Sequence, residues 1–284
     1  MKEIDAKTKI CILIGDPVEH SFSPLIHNAG FNALGINFVY VACPVKDLEH
    51  AIKGIRALNI RGASITIPHK INAISYVDRL HDAAQKIGSI NTIVNQKGEL
   101  MGYNSDGLGA LKAFQDRGID LKGRSVLILG SGGVARAIAF SLVMRDEVKR
   151  LNILGIVEKE MNLLIDDLRK TGGIDIQGAL LQEDILQKTL SRSDLLINCT
   201  PLGMYPNTGE TPVPSIFLRP GLLVFDVVYN PPKTRLLKDA QHAGCMTISG
   251  LEMFINQAIV QFELWTGEKA PVEVMKKVLL EQLV

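Results

Sequence analysis

The chain has 284 residues, 46% of them hydrophobic, which suits two lobes that each bury a core. Its 31 basic and 30 acidic residues leave a net charge of +1, so neither nucleic acid nor an anionic membrane surface is an expected partner. The polar start "MKEIDAKTK", the lack of any bilayer-length apolar run and four scattered cysteines without a CxxC pair predict a cytoplasmic protein with reduced thiols. Strands and helices then alternate along the whole chain. "KICILIG" (9–15) reads as a strand, "SPLIHNAGFNALG" (23–35) as a helix, "NFVYVAC" (37–43) as a strand, "VKDLEHAIKGIRALN" (45–59) as a helix and "RGASITI" (61–67) as a strand. This βαβαβ order predicts a mostly parallel sheet covered by helices. "INTIVNQKGELMGYN" (90–104) reads as a hairpin turning at Lys97-Gly98.

A second alternating run follows the helix "GLGALKAFQDRG" (107–118) and the polar joint "IDLKGR". Its strands are "SVLILG" (125–130), "RLNILG" (150–155), "DLLINCT" (194–200) and "LLVFDVV" (222–228), with "GGVARAIAFSLVM" as a helix. Pro and Gly cluster between residues 201 and 221, marking loops. The chain ends in two helical segments, 251–267 and 271–284, with Pro271 suited to a first turn. The histidines show no metal-ligand spacing, so no metal is expected.

Between an apolar strand and an alanine-rich helix, "LGSGGVARA" sets Gly130, Gly132 and Gly133. The first glycine permits a tight turn, the second lets backbone N–H groups approach a pyrophosphate, and the small Ala135 allows close helix packing. The pattern is GxGGxA. It is weak by itself, and an ordinary glycine turn is the plain alternative. The strand-before and helix-after context favours a dinucleotide site. The residue expected to choose between NAD and NADP lies at the end of the next strand. There the chain reads Gly155, Ile156, Val157, then Glu158 and Lys159, which leaves the choice open.

"ASITIPHK" (63–70) raises a different question. Lys70 follows a strand that stops at Pro68, so it is either a solvated loop charge or a cation placed in a site. Ser21 and Ser23 sit at the end of the first strand, Thr66 near the end of the third, Asn91 in "SINTIV" and Asp106 in "YNSDGLG". Each has an ordinary reading: Ser23 and Asp106 as helix caps, Asn91 as a turn residue. Together they gather at the carboxyl ends of strands, where open α/β sheets bind ligands.

With "GDPVEHSFSPLIHNAGF", "SITIPHK", "IGSINTIV", "GYNSDGLG", "LGSGGVARA", "LINCTPLGM", "FDVVYNPPKTRLL" and "GLEMFINQAIVQFELWTG" in that order, the chain resembles the shikimate dehydrogenase family nearly end to end. The resemblance implies an α/β protein of two domains: a substrate domain over 1–106, a Rossmann NAD(P) domain over 107–249, and C-terminal helices over 250–284 that return to the first. It implies reversible reduction of 3-dehydroshikimate to shikimate with NADP, in aromatic amino-acid biosynthesis. Lys70 and Asp106 match the catalytic pair. Ser21 and Ser23 match the carboxylate-binding hydroxyls. Thr66, Asn91, Tyr229 and Gln257 match the other substrate contacts. Gly130, Ser131, Gly132, Gly133 and Val134 match the phosphate loop, and Thr200, Met204, Gly250 and Met253 fall in the nicotinamide region.

The chain departs from the family pattern at three places. Ser64 stands for an asparagine, and Ser105 for a threonine. Gly155, Ile156 and Val157 stand where many members carry Asn-Arg-Thr and grip the NADP phosphate. NADP therefore remains the family expectation with NAD open, and Lys159 and Arg136 become the nearby cations for a phosphate. The alternatives are a quinate/shikimate dehydrogenase using NAD, a non-catalytic sensor on the same scaffold, or a dehydrogenase of folate carriers sharing only the glycine loop. The sequence is compatible with a monomer or a homodimer.

Overall fold

A computed structural model of the chain describes residues 4–145 and 148–282, and divides into two units. One runs to Ser105 and resumes at Ile255; the other spans Asp106–Phe254.

In the first unit β1 (Lys9–Gly15), α1 (Ser23–Ala33), β2 (Phe38–Pro44), α2 (Leu48–Ala57) and β3 (Gly62–Ile65) build the parallel βαβαβ start. There follow β4 (Arg79–Leu80), α3 (Asp82–Ile87), β5 (Thr92–Gln96) and β6 (Glu99–Tyr103). Sheet order is β2-β1-β3-β5-β6-β4, with β5 antiparallel to both β3 and β6. The hairpin turns at Lys97 (φ 57°) and Gly98 (φ 96°), two successive left-handed residues that match the right-handed strand twist. A core of Ile12, Ile14, Ile52, Ile55, Ile65 and Ile93 lies against the sheet.

The second unit contains α4 (Asp106–Asp116), β7 (Ser125–Leu129), α5 (Gly133–Arg145), β8 (Arg150–Gly155), α6 (Glu158–Arg169), β9 (Asp175–Leu180), α7 (Glu183–Leu190), β10 (Leu195–Asn198), β11 (Leu223–Asp226), α8 (Arg235–His242) and β12 (Met246–Ser249). All its strand pairs are parallel, in the order β12-β11-β10-β7-β8-β9. The strands "VLIL", "LLIN" and "LVFD" are buried along their length, as parallel strands covered on both faces must be. α9 (Gly250–Thr266) begins in the second unit and ends in the first, and α10 (Val272–Glu281) packs on α1. Among the described residues no helix is long and apolar enough to cross a membrane.

Local details depart from expectation for identifiable reasons. β3 stops at Ile65, before Thr66 and Ile67, because Pro68 has no N–H and restricts the residue ahead of it. Pro271 occupies the cap position of α10, one residue before its first turn. Asp106 is the first residue of α4 rather than its cap. Ser23 likewise begins α1; the cap position is Phe22, without a side-chain bond, and Ser21 Oγ accepts the Ser23 N–H at 3.2 Å.

His27, on α1, is fully buried. Its ring stacks on Tyr40 with centroids 4.6 Å apart and tilts against Trp265 at 5.1 Å. Among the described residues neither ring nitrogen has a hydrogen-bond partner, and the nearby Gln261 amide is engaged by Ser64, Asn91 and Thr92. Burial pushes the imidazole down to about 3, against a smaller opposing pull from Gln261. An unfolded histidine titrates near ~6.5, so between these values the unfolded chain binds the extra proton. The stability that neutral His27 permits is full above ~6.5 and is lost as pH falls toward 3. His27→Phe should therefore shrink the loss of unfolding free energy between about pH 7 and pH 4.5 by roughly 2–3 kcal/mol. Urea titrations at several pH values measure it; an unchanged pH slope would show that this histidine is not the acid-sensitive group.

Candidate active site

In the first unit the expected substrate residues meet at one end of the sheet. Ser21 and Ser23 follow β1. Thr66 lies against the end of β1, its N–H bonded to the Ile14 carbonyl at 2.9 Å. Asn91, only 2% exposed, precedes β5, and its carbonyl accepts the Ile65 N–H at 2.8 Å. Lys70 is half-buried in the turn after β3. That turn is pinned: His69 N–H bonds Thr66 O, Ala73 N–H bonds His69 O, and Ile90 N–H bonds Lys70 O, each at 2.9 Å. The buried His69 ring adds a 2.7 Å bond to the Val45 carbonyl. The lysine thus stands on a backbone fixed to its neighbours on both sides, which sets it apart from an ordinary loop charge.

Asn91 and Gln257 are held by Ser105. The Ser105 N–H donates to Asn91 Oδ1 at 2.8 Å, and Asn91 Nδ2 donates to Ser105 Oγ at 2.9 Å. Gln257 Oε1 lies 3.5 Å from Asn91 Nδ2 and 3.4 Å from Ser105 Oγ. One turn further along α9, Gln261 receives the Ser64 hydroxyl at 2.9 Å and donates to Thr92 Oγ1 at 3.0 Å. Ser64 also accepts the Tyr40 hydroxyl at 2.7 Å. The departure at Ser64 therefore turns this position inward, into a bond between β3 and α9. Ser105 and Gln261 are buried partners of the candidate site residues, a role that sequence reasoning did not assign to either. Their signals are a second glutamine one helical turn after Gln257 and a hydroxyl directly before Asp106.

The second unit carries the remaining residues at the carboxyl ends of its parallel strands. Gly130 follows β7 with φ +103°, and a side chain there would press on the Cys199 carbonyl. Ser131 is buried, the space above Gly132 is open, and Gly133 begins α5 with Val134 next to it. A left-handed turn, an open face and a helix N-terminus fit a dinucleotide pyrophosphate. Beyond β8, Gly155 is buried while Ile156 is 80% exposed. Arg136 is buried, bonded to Asp167 at 2.9 Å and set over the Phe140 ring, so it is committed within the unit. Lys159 lies in the exposed first turn of α6.

Leu129, Asn198, Asp226 and Ser249 form one row across β7, β10, β11 and β12. Asp226 is fully buried and receives hydrogen bonds from Asn198, Val228 and Thr234. Burial pushes its carboxyl up to about 6, while those donors pull it the other way. Thr200, Tyr229 and Gly250 follow this row directly. Met204 is exposed, Met253 is buried, and the Tyr229 ring stacks on Phe254 at 4.5 Å. Asp106, 4% exposed, opens α4. Among the described residues no group of three His, Cys, Asp or Glu side chains is placed to hold a metal ion.

Comparison with known proteins decides the family. Residues 13–93 match the shikimate dehydrogenase substrate binding domain, and residues 250–280 match the shikimate 5'-dehydrogenase C-terminal domain. A shikimate dehydrogenase (NADP(+)) of Methanopyrus kandleri is 42% identical over 99% of this chain and 98% of its own. The chain belongs to the shikimate dehydrogenase family. Among solved structures, a shikimate dehydrogenase in complex with NADP+ superposes with a TM-score of 0.90, at 39% identity, covering 99% of this chain and 98% of that one. The shikimate 5-dehydrogenase of Listeria monocytogenes, in complex with shikimate and NAD, gives 0.88 at 36% identity, covering 98% and 99%.

The family match gives the polar residues a context, and packing explains one glycine directly. A methyl group on Gly250 would collide with the carbonyl oxygens of Val227 and Val228, so only glycine lets α9 start against the segment that precedes Tyr229. Gly250→Ala should destabilise the protein by about 1–3 kcal/mol, since backbone atoms cannot yield as a flexible side chain would. Chemical denaturation measures the change; a loss below about 0.5 kcal/mol would mean that the helix start shifts freely.

Proposed function

We propose that this chain catalyses the reversible reduction of 3-dehydroshikimate to shikimate with NADP(H), within aromatic amino-acid biosynthesis. Family membership over the full length supports the reading, together with the NADP(+) named for the Methanopyrus kandleri relative and the NADP+ and shikimate named for the solved neighbours. The observation that carries it is the neutral hydrogen-bonding set around Asn91, with a lysine on a pinned turn next to it. Such a set suits a small hydroxylated ring acid; a phosphorylated substrate would call for arginine forks.

On this reading residues 1–106 and 250–284 serve the substrate and residues 107–249 the dinucleotide. Ser21 and Ser23 hold the carboxylate. Thr66, Asn91, Tyr229 and Gln257 hold the ring and its hydroxyls. Gly130 to Val134 cradle the pyrophosphate, while Thr200, Met204, Gly250 and Met253 border the nicotinamide. The nicotinamide supplies hydride chemistry when bound. Lys70 donates the proton that the substrate oxygen needs on reduction and removes it on oxidation, and its positive charge stabilises the developing oxyanion. Asp106 supplies the counter-charge for the ammonium and accepts a substrate hydroxyl. A cytoplasmic location accompanies the reading, supported by four cysteines that are all free thiols. It requires no more than a monomer or a homodimer.

The bare end of β8 favours one second reading, use of NAD, because Gly155, Ile156 and Val157 offer a 2'-phosphate no hydrogen-bonding side chain. Initial rates of shikimate oxidation with NADP and NAD in parallel, repeated with quinate, separate the possibilities. A preference for NADP with shikimate is the expected result. Preference for NAD and quinate would make the chain a quinate/shikimate dehydrogenase, and binding without any turnover would make it a sensor. Lys70→Ala should lower turnover by a factor of about 10² to 10⁴ while shikimate still binds. A rate within a few-fold of wild type would remove Lys70 from the chemistry.

A further inference from the structure

The buried row at the carboxyl ends of β10 and β11 is linked by hydrogen bonds whose direction is forced. Asp226 accepts only. Asn198 must therefore turn its amide nitrogen to Asp226, donating Nδ2–H to Oδ1 at 2.9 Å. Val228 N–H donates to the same oxygen at 3.1 Å, and the Thr234 hydroxyl donates to Oδ2 at 2.6 Å. Thr234 Oγ1 itself accepts the Leu237 N–H as the cap of α8, so its one proton can only go to Asp226. With its nitrogen committed, Asn198 presents Oδ1 on the other side. That oxygen accepts both the Thr200 N–H at 3.0 Å and the Thr200 hydroxyl at 2.7 Å.

The consequence falls on Thr200. Its single hydroxyl proton is spent on Asn198, and Leu202 N–H donates to its oxygen at 3.3 Å. Towards a ligand, such a hydroxyl can only accept. Thr200 lies two residues past β10, whose last residue pairs with Leu129 just before the glycine turn. A side chain on Gly130 would press against Cys199, the neighbour of Thr200.

We infer that Asn198, its amide nitrogen held by Asp226, is a positioning residue that orients the Thr200 hydroxyl as a hydrogen-bond acceptor for the carboxamide N–H of a bound nicotinamide. The inference rests on the dinucleotide site of the proposed function. It explains why a carboxylate is kept fully buried at this place in the fold. The Thr200 N–H holds Asn198 in the same direction from the other side, so the amide is fixed at both ends.

The test compares binding, measured calorimetrically, of NADP and its 3-acetylpyridine analogue, in which a methyl ketone replaces the carboxamide and no N–H is left. Wild type should bind NADP more tightly than the analogue by about threefold to tenfold, the range of one hydrogen bond. Asn198→Ala, which removes the acceptor of the Thr200 proton, should reduce that preference to within about twofold, with the analogue's affinity held or improved, because the freed hydroxyl can donate to the ketone. Thr200→Val should lose the preference and Thr200→Ser should keep it. Thermal melts check that each variant is folded. If Asn198→Ala does not fold, the Thr200→Val and Thr200→Ser pair decides. Equal affinities in wild type, or a folded Asn198→Ala or Thr200→Val that retains the preference, overturn the inference alone. Failure of wild type to bind either dinucleotide overturns the functional reading and the inference with it.

Discussion

The polar stripe of α9 is the constraint on which the substrate-side unit depends. Gln257, Gln261 and Trp265 recur every four residues, so they stand one above another on a single helix face. Each bonds to the sheet. Gln257 meets Asn91 and Ser105, Gln261 meets Ser64 and Thr92, and Trp265 donates its indole N–H to the Ile93 carbonyl at 3.0 Å. All three are buried. A slide of the helix by one turn would leave several buried donors and acceptors unpaired, at about 1–3 kcal/mol each. Apolar packing would hold the helix near the sheet, but it is non-directional. The hydrogen bonds select one register, and that register decides where Gln257 sits relative to Asn91.

The same logic operates in the parallel sheet. There the row Asn198–Asp226–Ser249 is polar although it is surrounded by Leu127, Leu129, Leu196 and Val224. A lone buried carboxylate would be costly. Asp226 survives because its oxygens receive three donors from β10, its own following loop and the α8 cap. Three separate chain segments thus converge on one side chain, and the loops carrying Thr200 and Tyr229 leave from either side of it. In both units the candidate site residues sit on hydrogen-bonded networks that are formed without a ligand, which would limit the reorganisation a ligand has to drive.

Most of this arrangement is legible in the sequence, for physical reasons that can be named. The fully apolar strands and the glycine turn announce a covered parallel sheet, and the Lys97-Gly98 turn announces a hairpin. α6 is equally readable: Met161, Leu164, Ile165 and Leu168 are its buried face, at helical spacing. β9 and β12 are harder. They are edge strands with much of their length exposed, and Gly178 interrupts the first. The roles of Ser105, Gln261 and Asp226 are hidden for a different cause. Each acts through partners distant in sequence, such as Gln257, 152 residues from Ser105, and no local pattern encodes such a pairing. Ser64 shows the converse. In the sequence it stands out as a shortened polar side chain on the ligand side of β3. In the fold its hydroxyl joins Tyr40 to Gln261, a structural bond that needs both distant partners to be seen.

The end of β8 shows how packing and specificity divide neighbouring positions. Gly155 is buried, and a methyl group there would lie 3.3 Å from Ser131 Oγ, so the phosphate loop itself restricts this residue. Ile156 and Val157 are under no such restraint: they are 80% and 45% exposed. Val157 even holds the cap position of α6 without a side-chain acceptor for the helix N–H groups. Arg136 cannot drift toward them cheaply, because leaving Asp167 would strand a partly buried carboxylate and give up the Phe140 ring. On the proposed reading, contacts that discriminate between the two dinucleotides would fall to exposed side chains at 156–159, which can change without disturbing the core. Cofactor choice would then be separable from stability, whereas the glycine turn after the neighbouring strand β7, with Gly130 at φ +103° against the Cys199 carbonyl, is not free to change.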